Sequence, residues 1–172
     1  MASIRTVVQT DSAAIAKIYN HYIANSTATF EETSISTAQL GQRIAKVLHV
    51  KLPWLIIEND QQQLMGYAYA SKWRGRSAYR FSSEVSVYIS PQYLGHGYGQ
   101  QLYEALFEQL RALGIHQAIG GITLPNPASI GLHEKLGMKK VAHFDKVGLK
   151  FGQWLDVGYW QIDLQQADTQ SE

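Results

Sequence analysis

Apolar residues along this chain alternate between a period of two and a period near 3.6, and the switches between them predict the elements. Ile4 to Val8 reads as a first strand. Thr10-Asp11-Ser12 then offers N-cap oxygens to a helix whose apolar positions Ile15, Ile18, Tyr19 and Tyr22 fall at helical spacing. Asn25 to Glu32 follows neither period and reads as a polar loop. Ser36 to Val50 predicts a second helix with Leu40, Ile44, Val47 and Leu48 inward, and Pro53 stops any continuation. Trp54 to Glu58 is a strand, the Asn59-Asp60-Gln61 neighbourhood a turn, and Leu64 to Ala70 the antiparallel partner. Beyond a basic and aromatic bend, Tyr79 to Ile89 predicts a long central strand. Tyr98 to Leu113 places Leu102, Leu106, Leu110 and Leu113 on one helical face and stops at Gly114; Gln117 to Leu124 is again a strand. Asn126 and Pro127 open a last helix that Leu136-Gly137 closes. Val141 to Leu149 and Val157 to Leu164 are two final strands joined by Lys150 to Asp156, and the polar segment Gln165 to Glu172 is expected to fray.

The resulting order, β-α-α-β-β-β-α-β-α-β-β, predicts an α/β fold with a mixed central β-sheet flanked by helices on both faces. Neither an internal repeat nor a linker interrupts it, so residues 1–172 are expected to form a single domain.

Composition narrows the function. The formal net charge is +1 and no run of Lys or Arg stands out, which leaves a nucleic-acid surface little to work with. The absence of cysteine excludes a disulfide framework, a thiolate metal site and a cysteine nucleophile. Met1 to Arg5 carries no basic segment followed by an apolar run, and no stretch of ~18 apolar residues could span a bilayer. A soluble, cytoplasmic protein acting on small molecules is expected, without a membrane or nucleic-acid partner. The histidines show no metal-ligand spacing, so no metal is assigned, and no Ser-His-Asp arrangement can be inferred from separated residues.

One segment carries chemistry on its face. A strand ending near Pro91 is followed by Gln92-Tyr93-Leu94-Gly95-His96-Gly97-Tyr98-Gly99 and then by an amphipathic helix. This geometry aims free backbone N–H groups and a helix N-terminus at an anion such as a pyrophosphate. Alone, the pattern is equally a tight strand-to-helix turn. A dinucleotide fingerprint would need the first strand and a later acidic residue, and a nucleotide P-loop would need Lys-Ser or Lys-Thr after the last glycine; both are lacking.

The turn resembles the cofactor motif of the GNAT superfamily of N-acetyltransferases, Gln/Arg-x-x-Gly-x-Gly/Ala, matched by Gln92, Gly95 and Gly97. The strand Glu84 to Ile89 before it resembles the flanking segments of that superfamily, as do Asn126-x-x-Ser129 and Leu132 to Met138 after it. At finer grain, Asn20 to Ile23, Ser26 to Phe30, Trp73-x-x-Arg76-x-Ala78-Tyr79 and Lys150-Phe151-Gly152-x-Trp154-x-Asp156-Val157-Gly158-x-Trp160-Gln161 resemble the phosphinothricin and methionine sulfoximine acetyltransferases. The resemblance implies a GNAT fold, acetyl-CoA as co-substrate, a small amino-acid-like amine as acceptor, and a homodimer. It assigns the backbone of Val87, Tyr88 and Ile89 to the pantetheine arm and thioester. Gly95, His96, Gly97, Tyr98, Gly99, Gln100, Asn126 and Ser129 are likewise assigned to cofactor binding.

Acetyl transfer needs a base for the amine, donors for the thioester oxygen and an acid for the leaving thiolate. Side chains alternate along a strand, so Glu84, Ser86 and Tyr88 share a face. Glu84 is the expected general base; the alternative is a solvated or ion-paired strand glutamate. Asn126 and His133 are seven residues apart and so lie on one helical stripe. A plain N-cap would explain Asn126 as well. By resemblance His133 stands where many superfamily members carry a tyrosine acid, and an imidazole of ordinary pKa, ~6.5, can donate a proton near neutrality. Tyr103 is an alternative acid. Arg74 and Arg76, flanking Gly75, could clamp an acidic acceptor, with Val85 and Ser86 beside it. Phe30 is either part of the acceptor wall or core. Two other readings stay open: a GNAT enzyme for another amine, such as a protein N-terminus or polyamine, and a non-catalytic CoA-binding sensor.

Overall fold

The computed structural model of the chain describes residues 1–165; beyond Gln165, the tail expected to fray lies outside the described residues. The period-two segments form seven strands: β1 (Ser3–Thr6), β2 (Trp54–Glu58), β3 (Leu64–Lys72), β4 (Ser82–Ile89), β5 (Gln117–Leu124), β6 (Lys139–Lys150) and β7 (Gln153–Asp163). They make one sheet in the order β1-β2-β3-β4-β5-β7-β6, in which β4 and β5 run parallel and every other pair antiparallel.

Alternation along each strand sends its side chains to two cores. Leu55, Ile57, Ala68, Ala70, Val85 and Ala118 pack beneath the apolar stripe Leu102, Tyr103, Leu106 and Leu110 of α3 (Tyr98–Ala112). The opposite-facing Trp54, Ile56 and Tyr67 pack with Ile15, Ile18 and Tyr19 of α1 (Ser12–Asn25) and Leu40 and Ile44 of α2 (Thr37–His49). The short α4 (Pro127–Lys135) adds Ile130 and Leu132 to the α3 side. Each such aliphatic side chain, removed from water, contributes roughly 1.5–3 kcal/mol. No helix among the described residues is long and apolar enough to cross a membrane.

Several expectations need correction. Lys150 to Asp156 is not a connecting loop. Phe151 and Gly152 both take positive φ, 51° and 71°, and fold a two-residue turn that pairs Lys150 with Gln153, so β6 and β7 run to the hairpin tip. The central strand begins at Ser82 because Ser77–Tyr79 winds into a 3-10 turn. Asp11 occupies the N-cap of α1 without capping it through its side chain. Its carboxylate accepts instead from the Val8 amide at 2.8 Å and from Arg5 at 2.9 and 3.0 Å, which holds it below the usual carboxylate range. Leu48 and Leu113 face outward near their helix ends. Ser36 does cap α2, accepting from the Gln39 amide at 3.1 Å.

Candidate active site

The two neighbours of β4 hold it over different lengths. β3 pairs with it from Lys72–Ser83 to Gly66–Ile89, whereas β5 pairs only at Ser82–Gln117, Ser83–Ala118 and Glu84–Ile119. Beyond Glu84 the parallel strands separate, and the edge of Val85 to Ile89 that faces β5 has no strand partner. A cavity of about 580 Å³ lies in the gap, lined by Val85 to Ile89, by Gly121 to Thr123 of β5, and by residues of α3 and α4. Small-molecule sites are commonly of this size.

One end of the cavity is the glycine turn. Gly95 and Gly97 take φ of 80° and 78°, and a Cβ on either would meet nothing within 4 Å, so backbone conformation rather than crowding calls for glycine. Gly97 is the N-cap of α3 and offers no side chain to it. Among the described residues, no backbone N–H from Gly95 to Gln100 finds a protein acceptor. Several unpaired donors at the positive end of a fifteen-residue helix make an anion site, and Gly95, Gly97, Tyr98, Gly99 and Gln100 all line the cavity there. His96 does not. Its Nδ1–H donates to the Leu94 carbonyl at 2.9 Å and its ring stacks on Tyr98, so it shapes the turn from outside. Gly99 serves packing, since a Cβ there would stand 3.2 Å from Leu132 of α4.

The opposite wall comes from α4. Asn126 caps this helix by accepting from the Ser129 amide at 3.1 Å, and it also lines the cavity with Ser129 and His133, as their shared stripe predicts. The His133 ring is 4% exposed. Its Nδ1–H donates to the Ser129 carbonyl at 2.7 Å, which leaves Nε2 as the free nitrogen, 3.4 Å from the Tyr103 hydroxyl. Burial pushes the imidazole pKa down, more than the carbonyl bond raises it. Gly120 makes room for the ring, since a Cβ there would lie 2.6 Å from Nε2. The ordinary pKa assumed from sequence therefore does not hold at this site. Tyr103, itself buried, also lines the cavity, so the two alternative acids meet in one contact.

At the apex of the separation stands Glu84, in the last residue pair between β4 and β5. Burial raises its pKa, and the positive charge of Arg74 partly opposes the rise. Tyr88, on the same strand face, packs against Tyr19 and Tyr22 of α1 with ring centroids 5.3 Å apart and against Tyr67 at 5.6 Å. Arg74 lies 4.2 Å over the Trp73 ring, which meets Tyr159 edge-on. Arg74, Gly75 and Arg76 are all exposed, and neither they nor Glu84 line the cavity. Neither does Phe30, whose ring covers Gly148 of β6. Ala28, two residues earlier, does line it.

A family model described as an acetyltransferase (GNAT) domain matches residues 4–158. The chain belongs to the GNAT acetyltransferase family. A phosphinothricin N-acetyltransferase of Alcaligenes faecalis is 40% identical over 168 residues, covering 97% of this chain and 85% of that protein. An L-methionine sulfoximine/L-methionine sulfone acetyltransferase of Pseudomonas paraeruginosa is 36% identical over 95% of each chain. The crystal structure of a GNAT superfamily phosphinothricin acetyltransferase from Sinorhizobium meliloti in complex with AcCoA has a TM-score of 0.93 and 35% identity. It covers 99% of this chain and 92% of that chain. The expected fold, a mixed sheet with helices on both faces, is thus the GNAT fold.

Sequence reasoning overlooked part of this GNAT cavity. Tyr22 lines it and donates its hydroxyl to the Ile89 carbonyl, although no site role was assigned to it within the Asn20 to Ile23 segment. Gly121 and Thr123 line it from β5. The pair Gly120-Gly121 inside a strand was the available signal, because adjacent glycines there mark close approach. Outside the cavity lining, the fold gathers His143, Asp145 and Asp156 on the β6–β7 hairpin, a grouping their spacing did not announce.

Proposed function

We propose that this GNAT protein transfers the acetyl group of acetyl-CoA to the amino group of a small amino-acid-like acceptor, of the kind for which its relatives are named: phosphinothricin or methionine sulfoximine and sulfone. The observation that carries the reading is the separation of β4 from β5, which opens a cavity from the unpaired α3 amides along the free edge of Val85 to Ile89, with the half-buried Glu84 one residue before that edge in the last β4–β5 pair.

In this reading the amides from Gly95 to Gln100 hold the pyrophosphate, and the unpartnered edge of Val87, Tyr88 and Ile89 receives the pantetheine arm, with Asn126 and Ser129 opposite. Glu84 takes the ammonium proton of the acceptor, its raised pKa making it a better base than an ordinary carboxylate. The freed amine attacks the thioester carbonyl, a β4 amide stabilises the oxyanion, the C–N bond forms and the C–S bond breaks, and the second proton shed by the attacking nitrogen leaves through solvent to replace the one given to the thiolate. Tyr103, in contact with His133, returns a proton to the thiolate. Arg74, close enough to act on Glu84, offers the acceptor's acid group a cation. The chemistry requires no metal and suits a cytoplasmic enzyme acting as one domain. A positively charged acceptor such as a polyamine would meet repulsion from Arg74, and a sensor would have no use for Glu84.

The reading includes a homodimer. β6 is an edge strand, and Val141, Phe144, Val147 and Leu149 on it, with Phe151 and Trp154 at the hairpin tip, are each at least half exposed. An apolar edge of this kind is protected when a second copy covers it. Release of CoA thiol from acetyl-CoA, followed with each acceptor class separately, tests the function. Selective turnover of the sulfoximine-type compounds is expected, and turnover confined to spermidine or an N-terminal peptide would overturn it. Sedimentation at micromolar concentration is expected to give the mass of two chains.

A further inference from the structure

Lys150, the last residue of β6, is 1% exposed. Its ammonium donates to the carbonyls of Ser26 and Thr29, each at 2.8 Å, and no carboxylate lies within ion-pair distance among the described residues. A buried charge is retained at a cost unless its donors are satisfied, and here the acceptors are two backbone oxygens of one loop. That loop leaves the end of α1, contributes Ala28 to the cavity and lays Phe30 over Gly148, two residues before Lys150. On its other side, the Thr29 hydroxyl pairs with that of Tyr19 at 2.9 Å. Tyr19 also donates to Glu31, which holds Arg43 of α2 at 2.5 and 2.8 Å. The loop is therefore strung between two supports. One is the polar network on α1 and α2; the other is the β6 end of the hairpin, where a single ammonium supplies both hydrogen bonds.

We infer that Lys150 is a positioning residue for the acceptor subsite: its buried ammonium fixes the Ser26–Phe30 loop against the β6–β7 hairpin and so sets how tightly the acceptor is held, without contacting the reacting atoms. The inference rests on the proposed acetyltransferase reading. It separates the loop from the thioester end of the cavity, because α3, α4 and the glycine turn make none of these contacts.

The test is Lys150→Met, which keeps the stem and removes the donors. Two charge-assisted bonds are lost, so the acceptor KM is expected to rise about tenfold or more, with kcat and the acetyl-CoA KM within about twofold of wild type. Amide hydrogen exchange is expected to quicken at residues 26–31 and to stay unchanged in α3 and β4. Gly148→Ala, which dislodges Phe30 from the same loop without touching the ammonium, is expected to give the same split and keeps the test open if Lys150→Met does not fold. An unchanged acceptor KM, an equal rise for acetyl-CoA, or exchange that quickens uniformly would overturn the inference. If wild-type protein acetylates none of the acceptors, the proposed function fails, and the exchange arm still decides whether Lys150 holds the loop.

Discussion

The Tyr103 hydroxyl faces Nε2 of His133 at 3.4 Å while the other ring nitrogen donates to the Ser129 carbonyl at 2.7 Å, so the imidazole's own proton points away from the tyrosine. A neutral ring in that orientation accepts from Tyr103 rather than supplying it. A protonated ring would donate to it. The pair can therefore pass a proton between them, and neither member is interchangeable with an exposed acid.

Tyr103→Phe keeps the buried ring and removes the hydroxyl. Its kcat is expected to fall at least about tenfold, toward the hundredfold that a positioned acid commonly supplies, with the acetyl-CoA KM little changed. Steady-state thiol release measures it, and full retention of kcat would move protonation of the thiolate elsewhere.

The buried imidazole also ties stability to pH. Burial lowers the folded-state pKa of His133 below its ordinary 6.5, so as pH falls the unfolded chain binds the proton first. The contribution is complete above about 6.5 and declines as pH drops through that value toward the lower folded pKa. Melting temperatures taken from pH 7.5 to 5 should fall less steeply for His133→Asn than for wild type; parallel curves would show that the ring titrates alike in both states.

Glu84 carries the opposite sign. Its folded pKa is raised, so the ionised carboxylate is disfavoured in the native state at pH 7 and its removal should relieve strain on the fold. Glu84→Gln is expected to lose about a hundredfold or more in kcat, keep its affinity for acetyl-CoA and melt above wild type at neutral pH. A variant that turns over normally would exclude the carboxylate from proton transfer.

Arg74 and Arg76 should part company. Arg74 depresses the Glu84 pKa, so Arg74→Ala lets it rise and moves the acid limb of kcat/KM to higher pH, while raising KM for acidic acceptors. Arg74 and not Arg76 supplies the charge that acts on Glu84, so Arg76→Ala should leave that limb in place. Identical pH–rate profiles for both variants would dissociate Arg74 from the base.

At the glycine turn, Gly97→Ala places a side chain at φ 78° with open space around it, so the cost of about 1 kcal/mol falls on backbone conformation alone. Acetyl-CoA binding by calorimetry should weaken roughly fivefold to tenfold, with the acceptor KM nearly constant. Equal affinity would mean that the turn tolerates another conformation.

Local chemistry was readable from the chain; contacts distant in sequence were not. Trp54–Glu58 and Gln117–Leu124 match their predicted strands to the residue, because alternation and flanking turn residues agree there. The helical period placed Asn126 with His133 on one stripe, and both line the cavity, as Ser86 and Tyr88 do from β4, whereas Glu84 does not. Lys150 to Asp156 misled because Phe-Gly is an unusual choice for a turn that needs two positive φ angles. Nothing near Phe30 in sequence announces Gly148 as its seat, and nothing near Lys150 announces the carbonyls of Ser26 and Thr29. The point at which β4 leaves β5 is a property of two strands together, so neither segment alone could reveal it.

That early parting divides the labour of β4. Its odd-numbered side chains, Val85 and Ile89 among them, belong to the core under α3, Tyr88 packs against α1, and its exposed backbone edge belongs to neither. In the proposed reading the cofactor is gripped by peptide groups that every residue type possesses. Position 86, outside the aromatic cluster that holds Tyr88, is then free to vary with the acceptor while the grip on acetyl-CoA stays the same, which makes this strand a place where a new substrate preference can arise in a single substitution.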